Sequence, residues 1–179
     1  MSSVPSIRPS RPEDVAPICA IYAHHVRHGV ASFELDPPEV AEMARRRQDV
    51  LDAGLPYLVA ELDGAVAGFA CAGPYRLRPA YRYTVESTVY VADWAVRRGV
   101  GRKLLEALIS AYEAVGKRRM VAVIGDSGND ASISLHASVG FSHAGTLKDV
   151  GYKHGRWLDT VVMQRRLGAG EKGVGRIVP

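Results

Sequence analysis

The spacing of hydrophobic residues changes repeatedly along the chain, and each change predicts a helix or a strand. Helical spacing follows a capping box at residues 10–13 and returns over 39–54, 99–116 and 129–139, and a glycine ends each of the last three segments. The segments with strand character are 6–9, 57–62, 66–72, 83–91, 120–124, 141–150 and 157–167. Asp63-Gly64 lies between two of them and predicts a tight antiparallel hairpin.

The length and composition indicate a single folded domain. The chain has 179 residues, of which 47% are hydrophobic and 23% charged, values typical of a globular protein. We therefore predict one domain over 1–167 and a flexible, glycine-rich tail over 168–179. No segment approaches the roughly 18–20 apolar residues of a membrane span, and the first residues lack a signal-peptide core. These features predict a cytoplasmic protein without a membrane partner.

The formal net charge is +4, which favours an anionic ligand without naming it. Basic residues cluster at 45–47, at 97–103 and at 117–119, and only the middle cluster surrounds a glycine turn. The sequence has neither the interleaved aromatic residues nor the motif spacing of common nucleic-acid-binding modules. A small anionic ligand is therefore favoured over nucleic acid.

The cysteines and histidines do not form a metal-binding pattern. Cys19 and Cys71 lie in apolar segments without CxxC spacing, as small core residues do. His24 and His28 share a helical face, but no third ligand lies at a diagnostic spacing. We therefore predict no metal cofactor.

The turn Gly99-Val100-Gly101 follows a predicted strand and opens a predicted helix. Free amide groups and the positive dipole end at such a helix N-terminus bind phosphate groups, and glycine lets the ligand approach the backbone. A dinucleotide fingerprint is incomplete here and the P-loop motif is missing, so the turn alone is compatible with a diphosphate or with an ordinary helix start. A side chain at Gly101 is expected to crowd the path of the phosphates.

Three further residues have both a chemical and a structural interpretation. Glu86 places a carboxylate in a mostly apolar strand, where it is either functional or on the solvated face. Asn129 precedes a helix and suits an N-cap, which does not exclude a role in ligand binding. His136 has the chemistry to exchange a proton or to order a water, or it packs against Phe141.

The order of elements and several adjoining motifs resemble the GCN5-related N-acetyltransferases (GNAT). Within that superfamily the chain is most similar to the phosphinothricin and methionine sulfoximine N-acetyltransferases, from about residue 7 to residue 167. The matching segments are AGPYRLRPAY (72–81), VESTVYV (85–91), VAVIG (121–125), Asn129-Asp130 and GYKHGRW (151–157). The phosphate turn of the superfamily, Q/R-x-x-G-x-G/A, corresponds to residues 96–101, with Val96 in its first position.

The resemblance implies that acetyl-CoA is the co-substrate and assigns its binding residues. Backbone amides of the turn would hold the diphosphate, strand 83–91 would hydrogen-bond the pantetheine arm, and Asn129 would bind that arm through its side chain. The implied acetyl-CoA-binding residues are Val89, Tyr90, Val91, Arg97, Arg98, Gly99, Val100, Gly101, Arg102 and Asn129.

The resemblance also implies an acceptor site. Glu86 would act as general base, and His136 takes the position of a tyrosine that protonates the leaving thiolate in many members. The implied substrate-binding residues are Phe33, Arg76, Leu77, Arg78, Tyr81, Glu86, Ser87, Thr88 and Lys153. Arg76 and Arg78 offer planar guanidinium groups suited to a carboxylate or a phosphinate. The acceptor would be a small amino acid such as phosphinothricin, methionine sulfoximine or methionine sulfone.

The fold implied by the resemblance is α/β: a mixed, largely antiparallel sheet with a central split and helices on both faces. A homodimer and direct acetyl transfer are implied as well. Three other functions remain open at this point: acetylation of another small amine or a peptide N-terminus, a non-catalytic acyl-CoA-binding module, and a basic nucleic-acid-binding domain.

Overall fold

The computed structural model of the protein describes residues 4–168. Its strands are β1 (Ser6–Pro9), β2 (Tyr57–Leu62), β3 (Ala65–Pro74), β4 (Thr84–Val91), β5 (Arg119–Gly125), β6 (Ser142–Lys153) and β7 (Arg156–Arg166). Its α-helices are α1 (Val15–His28), α2 (Val40–Asp52), α3 (Val100–Ala114) and α4 (Asp130–Ser138). The predicted flexible tail lies outside the described residues from residue 169 onward.

The seven strands form one sheet in the order β1-β2-β3-β4-β5-β7-β6. Neighbouring strands are antiparallel except β4 and β5, which are parallel and connected through α3. The β2–β3 hairpin turns at Asp63 and Gly64, which both have positive φ, as the sequence predicted. The sheet therefore confirms the mixed, largely antiparallel topology.

The parallel ladder between β4 and β5 is short. It joins four residue pairs, from Thr84↔Arg119 to Ser87↔Ala122, although both strands continue beyond it. The two strands separate after Ser87 and Ala122, and this separation is the predicted central split.

Helices cover both faces of the sheet. Adjacent strand residues point to opposite faces, and the Tyr90 ring contacts the ring of Tyr22 on α1, with centroids 5.0 Å apart. Its neighbour Val91 instead lies beside Gly101 on α3. The α1 and α3 helices consequently lie on opposite faces, and each buries an apolar stripe against the sheet.

Two local predictions differ from the structure. The capping box begins one residue later, because the Ser10 hydroxyl accepts a hydrogen bond from Arg47 Nε at 2.8 Å and the Asp14 carboxylate accepts one from Arg11 N at 2.7 Å. The predicted turn over 151–155 is mostly strand: Gly151 pairs with Leu158, and only residues 154–155 turn the chain.

Among the described residues, no helix has the length and apolar character needed to cross a membrane. Between residues 4 and 168, no group of three or more His, Cys, Asp or Glu side chains is arranged to hold a metal ion.

Candidate active site

A cavity of about 420 Å³ lies at the split between β4 and β5 and extends beneath the α1–α2 connection. Its walls contain eight of the residues singled out in the sequence, which come from four separate parts of the chain. These are Phe33, Glu86, Ser87, Thr88, Val89, Tyr90, Asn129 and His136. The fold therefore brings most of the implied catalytic and pantetheine-binding residues to one place.

Glu86 supplies a carboxylate from the β4 side of the cavity. Strand alternation puts its side chain on the same face as Thr88 and Tyr90, and all three line the cavity. Burial raises the pKa of Glu86 above its ordinary value, and the positive charge of Arg76 opposes that rise. A carboxylate with a raised pKa is a stronger base, so Glu86 is suited to accept a proton from a bound group.

The free edge of β4 faces the split. The Ala92 amide donates to the Ala67 carbonyl across the ladder at 2.8 Å, so the Val91 carbonyl points the opposite way, toward the split. That carbonyl accepts a hydrogen bond from His25 Nε2 at 2.8 Å. Because backbone direction repeats every second residue, the N–H and C=O groups of Val89 also face the split.

The turn before α3 has the backbone conformation of an anion site. Gly99 has φ +79°, a value that glycine adopts without strain, and Arg97 also has positive φ. The first intrahelical bond runs from Lys103 N to Gly99 O at 3.1 Å. The amides of residues 100–102 therefore have no hydrogen-bond acceptor within the helix and are available to a ligand.

The arginines around the turn differ in their contacts. Arg98 is hydrogen-bonded to Asp63 at 2.9 Å, and Arg102 to Glu106 at 2.8 Å. Both guanidinium groups are thus engaged with carboxylates, with which a polyanionic ligand would have to compete.

Gly101 lies at a closely packed position at the start of α3. A Cβ at this position would lie 3.1 Å from a Leu135 methyl group and 3.4 Å from a Val91 methyl group. The missing side chain therefore lets α4 and β4 pack closely against the start of α3. The expectation that a side chain here would crowd the path of the phosphates stays a prediction.

Asn129 and His136 both line the cavity and both have structural partners. Asn129 Oδ1 accepts a hydrogen bond from Ser132 N at 3.2 Å, which makes it the N-cap of α4. His136 Nδ1 donates to the Ser132 carbonyl at 2.8 Å, and its ring packs edge-on against Phe141. Burial lowers the pKa of His136, so its neutral form is favoured and Nε2 remains an acceptor.

The four residues from the predicted substrate loop form a separate surface hollow beside the cavity. Arg76, Leu77, Arg78 and Tyr81 line it together with Tyr75. The Arg76 guanidinium lies over the Tyr75 ring, 5.1 Å from its centroid, and Leu77 is 94% exposed. Of this group, Arg76 is the residue whose charge acts on Glu86.

Lys153 does not line the cavity. Its side chain is buried, and Nζ donates to the Ser32 carbonyl at 2.7 Å. The ammonium group is thus engaged with the α1–α2 connection.

The sequence analysis missed one wall of the cavity, which α1, α2, β2 and β3 provide. Its residues are Tyr22, Glu34, Met43, Arg46, Val50, Tyr57, Phe69 and Cys71. Glu34 and Arg46 form an ion pair of 2.6 Å, and the Tyr22 hydroxyl donates to Glu34 at 3.0 Å. Alternation on β3 could have placed Phe69 and Cys71 on one face, but no local signal shows that this face meets Glu34.

A split parallel strand pair, an amide-rich turn at a helix N-terminus and a half-buried carboxylate are the arrangement that the sequence analysis associated with an acetyltransferase. Residues 20–141 match the Acetyltransferase (GNAT) family, and the chain belongs to that family.

Three acetyltransferases are similar to the chain over most of its length. Over 93% of its length the chain is 56% identical to a phosphinothricin N-acetyltransferase of Alcaligenes faecalis, covering 84% of that protein. It is 41% identical to an L-methionine sulfoximine/L-methionine sulfone acetyltransferase of Salmonella typhimurium, covering 90% and 94% of the two chains. The structure of a Sinorhizobium meliloti phosphinothricin acetyltransferase in complex with AcCoA superposes with a TM-score of 0.91 at 42% identity, covering 94% and 91%.

Proposed function

We propose that the protein transfers an acetyl group from acetyl-CoA directly to the α-amino group of a small amino acid. Phosphinothricin, methionine sulfoximine and methionine sulfone are the proposed acceptors. Acetyltransferases named after these compounds are 56% and 41% identical to the chain over the aligned residues. The observation that carries the proposal is the half-buried Glu86 carboxylate next to the split.

The residues around the split fit acetyl-CoA. The amides of residues 100–102 suit its diphosphate, and the β4 edge at Val89 suits the amides of the pantetheine arm. The His25 bond occupies the Val91 carbonyl, so Val91 contributes chiefly its N–H group. When bound, acetyl-CoA supplies a thioester whose carbonyl carbon accepts an amine.

The proposed task of Glu86 is to take a proton from the acceptor ammonium group, because only a neutral amine attacks a thioester. The proposed role of His136 is narrower than proton donation to the thiolate. With Nδ1–H on the Ser132 carbonyl, its neutral ring offers an acceptor at Nε2, which suits a water in the cavity.

Arg76 and Arg78 are the proposed partners of the acidic groups of the acceptor. Both flank the hollow beside Glu86, and the charge of Arg76 already acts on that carboxylate. An acceptor bound between them and Glu86 would present its anionic groups to guanidinium and its amine to the base.

The test is a screen of amines with a free-thiol readout of CoA release, followed by Arg76→Ala and Arg78→Ala. For the best amino acid we expect KM to rise about 10- to 100-fold, the loss of one charge-assisted hydrogen bond, while KM for acetyl-CoA stays unchanged. Arg45→Ala, which removes an exposed guanidinium on α2, is the control. A polyamine or peptide as the best acceptor would refute the substrate assignment, and absent turnover with acetyl-CoA bound would favour the non-catalytic alternative.

The homodimer that the family resemblance implies and the cytoplasmic location predicted from the sequence both stay predictions. Light scattering of the purified protein tests the first of them.

A further inference from the structure

The connection between α1 and α2 lies directly on the ends of β5 and β6. A Cβ on Gly125 would lie 2.2 Å from the Val30 carbonyl oxygen, and a Cβ on Gly151 would lie 2.3 Å from Cε2 of Phe33. Neither distance is compatible with a side chain. Gly125 and Gly151 therefore form a flat surface, here called the seat, against which residues 30–33 pack.

Lys153 fastens the same connection to the sheet. Its Nζ donates to the Ser32 carbonyl at 2.7 Å, and the lysine is only 3% exposed. The neighbouring His154 ring lies 3.3 Å from the Gly29 carbonyl oxygen. A buried ammonium group is costly unless it is hydrogen-bonded, so this contact is specific to the conformation in which Phe33 lies on the seat.

The fastened segment forms part of the cavity wall. Ala31, Phe33 and Glu34 line the same cavity as Glu86, and the Glu34 amide donates to the Ser32 hydroxyl at 3.2 Å. Any displacement of Phe33 would change the width of the cavity near the base.

We propose that Gly151 and Lys153 are positioning residues, which fix Phe33 on the seat and thereby determine which amino-acid side chains the acceptor pocket admits. The proposal rests on the proposed function. It gives Lys153 a role through Phe33, without contact with the substrate.

The central experiment compares Gly151→Ala with Gly145→Ala. Both glycines lie on β6, but a Cβ at Gly145 meets nothing within 4 Å. For Gly151→Ala we expect the acceptor KM to rise about tenfold or more, because small misplacements of binding groups have effects of this size, while KM for acetyl-CoA is unchanged. Gly145→Ala leaves both constants unchanged. Equal changes in both KM values for Gly151→Ala would overturn the proposal.

Double variants test whether the effect passes through Phe33. Phe33→Ala removes the ring that a methyl group on Gly151 would meet, so adding Gly151→Ala to it should raise the acceptor KM no further. Lys153→Met should also add nothing to Phe33→Ala, and Lys148→Met, at an exposed position of β6, is its control. Additive effects of Lys153→Met and Phe33→Ala would overturn the proposal in favour of direct substrate contact by Lys153.

An NMR measurement without any acceptor substrate tests the position of Phe33 independently of the proposed function. The chain has three phenylalanines, so ring signals in the NMR spectrum of phenylalanine-labelled protein are assignable from Phe33→Ala. Gly151→Ala should move the Phe33 signal and Gly145→Ala should not. An unmoved signal would overturn the seat, whereas a moved signal in a protein that acetylates no amino acid would refute the proposed function alone.

Discussion

At the scale of single residues, the surroundings of Glu86 determine how readily its carboxylate takes up a proton. Its carboxylate is half-buried in a strand whose neighbours are mostly apolar, and Arg76 is the only positive charge acting strongly on it within the described chain. Glu42, by contrast, is partly exposed and hydrogen-bonded to two arginines, which lower its pKa to about 2. Only the first environment produces a carboxylate that takes up protons readily.

We expect Glu86→Gln to lower kcat by about 10²- to 10⁴-fold with little change in acetyl-CoA affinity, because the amide keeps the size of the side chain but cannot accept the proton. In the native enzyme, activity should fall as the pH drops through the raised pKa of Glu86, since the protonated group is not a base. A pH–rate profile of the variant should lack this limb.

Glu13→Gln, on the exposed surface, is the control and should behave like the native enzyme. A Glu86→Gln enzyme with native kcat and a native pH profile would make Glu86 a structural residue.

At the scale of secondary-structure elements, the edge of β4 is held from outside the sheet. His25 on α1 donates to the Val91 carbonyl at the point where β4 has no strand beside it on the β5 side. The bond links the first helix to the edge proposed for the pantetheine arm.

We expect His25→Ala to raise KM for acetyl-CoA about 2- to 10-fold with kcat nearly unchanged, the effect of one hydrogen bond that positions the edge. His25→Asn should restore part of the affinity because its amide group can donate to the same carbonyl. His28→Ala is the control, because the His28 ring is exposed and contacts His24 instead. A decrease in KM would instead mean that His25 blocks an acceptor for the pantetheine arm.

Most elements were predictable because their signals are local. Asp63-Gly64 predicts the hairpin, and the glycines at 54, 116 and 140, all with positive φ, end the helices where the sequence indicates. The helix start at 10–13 was shifted because the Ser10 side chain bonds Arg47, a residue far along the chain. The 151–155 turn was too long because cross-strand pairing with Leu158 decides the conformation of Gly151.

The candidate site was predictable on one side only. The glycine turn and the Glu86 strand carry their chemistry in contiguous motifs, so the sequence points to them. The other wall depends on Tyr22, Glu34 and Arg46, whose two contacts each join residues 12 positions apart in the chain and follow no spacing rule of a helix or strand. The engagement of Lys153 with Ser32, 121 residues apart, is of the same kind.

At the scale of the whole molecule, an ion-pair cluster ties the first strand to the first helix. Arg8 on β1 is hydrogen-bonded to Asp14 at 2.7 Å and to Glu61 on β2 at 3.0 Å. The Asp14 side chain is 4% exposed, and the hydrogen bond from Arg8 holds its pKa below the ordinary value. The cluster joins three elements that the sheet alone would connect loosely at its edge.

We expect Asp14→Asn to lower the free energy of unfolding by about 1.5–3 kcal/mol near neutral pH, the value of a hydrogen bond to a charged group. A lowered pKa in the folded state means that the stabilisation is present above the unfolded value of about 3.9 and is lost as the pH falls through the folded value. Denaturant unfolding at several pH values should show the difference between variant and native protein closing at acidic pH.

Asp49→Asn is the control, because Asp49 pairs with Arg45 on the exposed surface and should contribute little. A difference for Asp14→Asn that stays constant down to pH values below the folded pKa would contradict the assignment.

The order of the strands also bears on when the enzyme becomes active during synthesis. Strands β1 to β4, the glycine turn and α3 come from the first 114 residues, and they carry Glu86 and the amides that suit a diphosphate. The other wall of the split is β5, which is itself flanked by β7, the last strand among the described residues. A nascent chain that has emerged only through α3 therefore lacks the cleft between Glu86 and these amides, and we expect acetylation to begin only after β7 has left the ribosome.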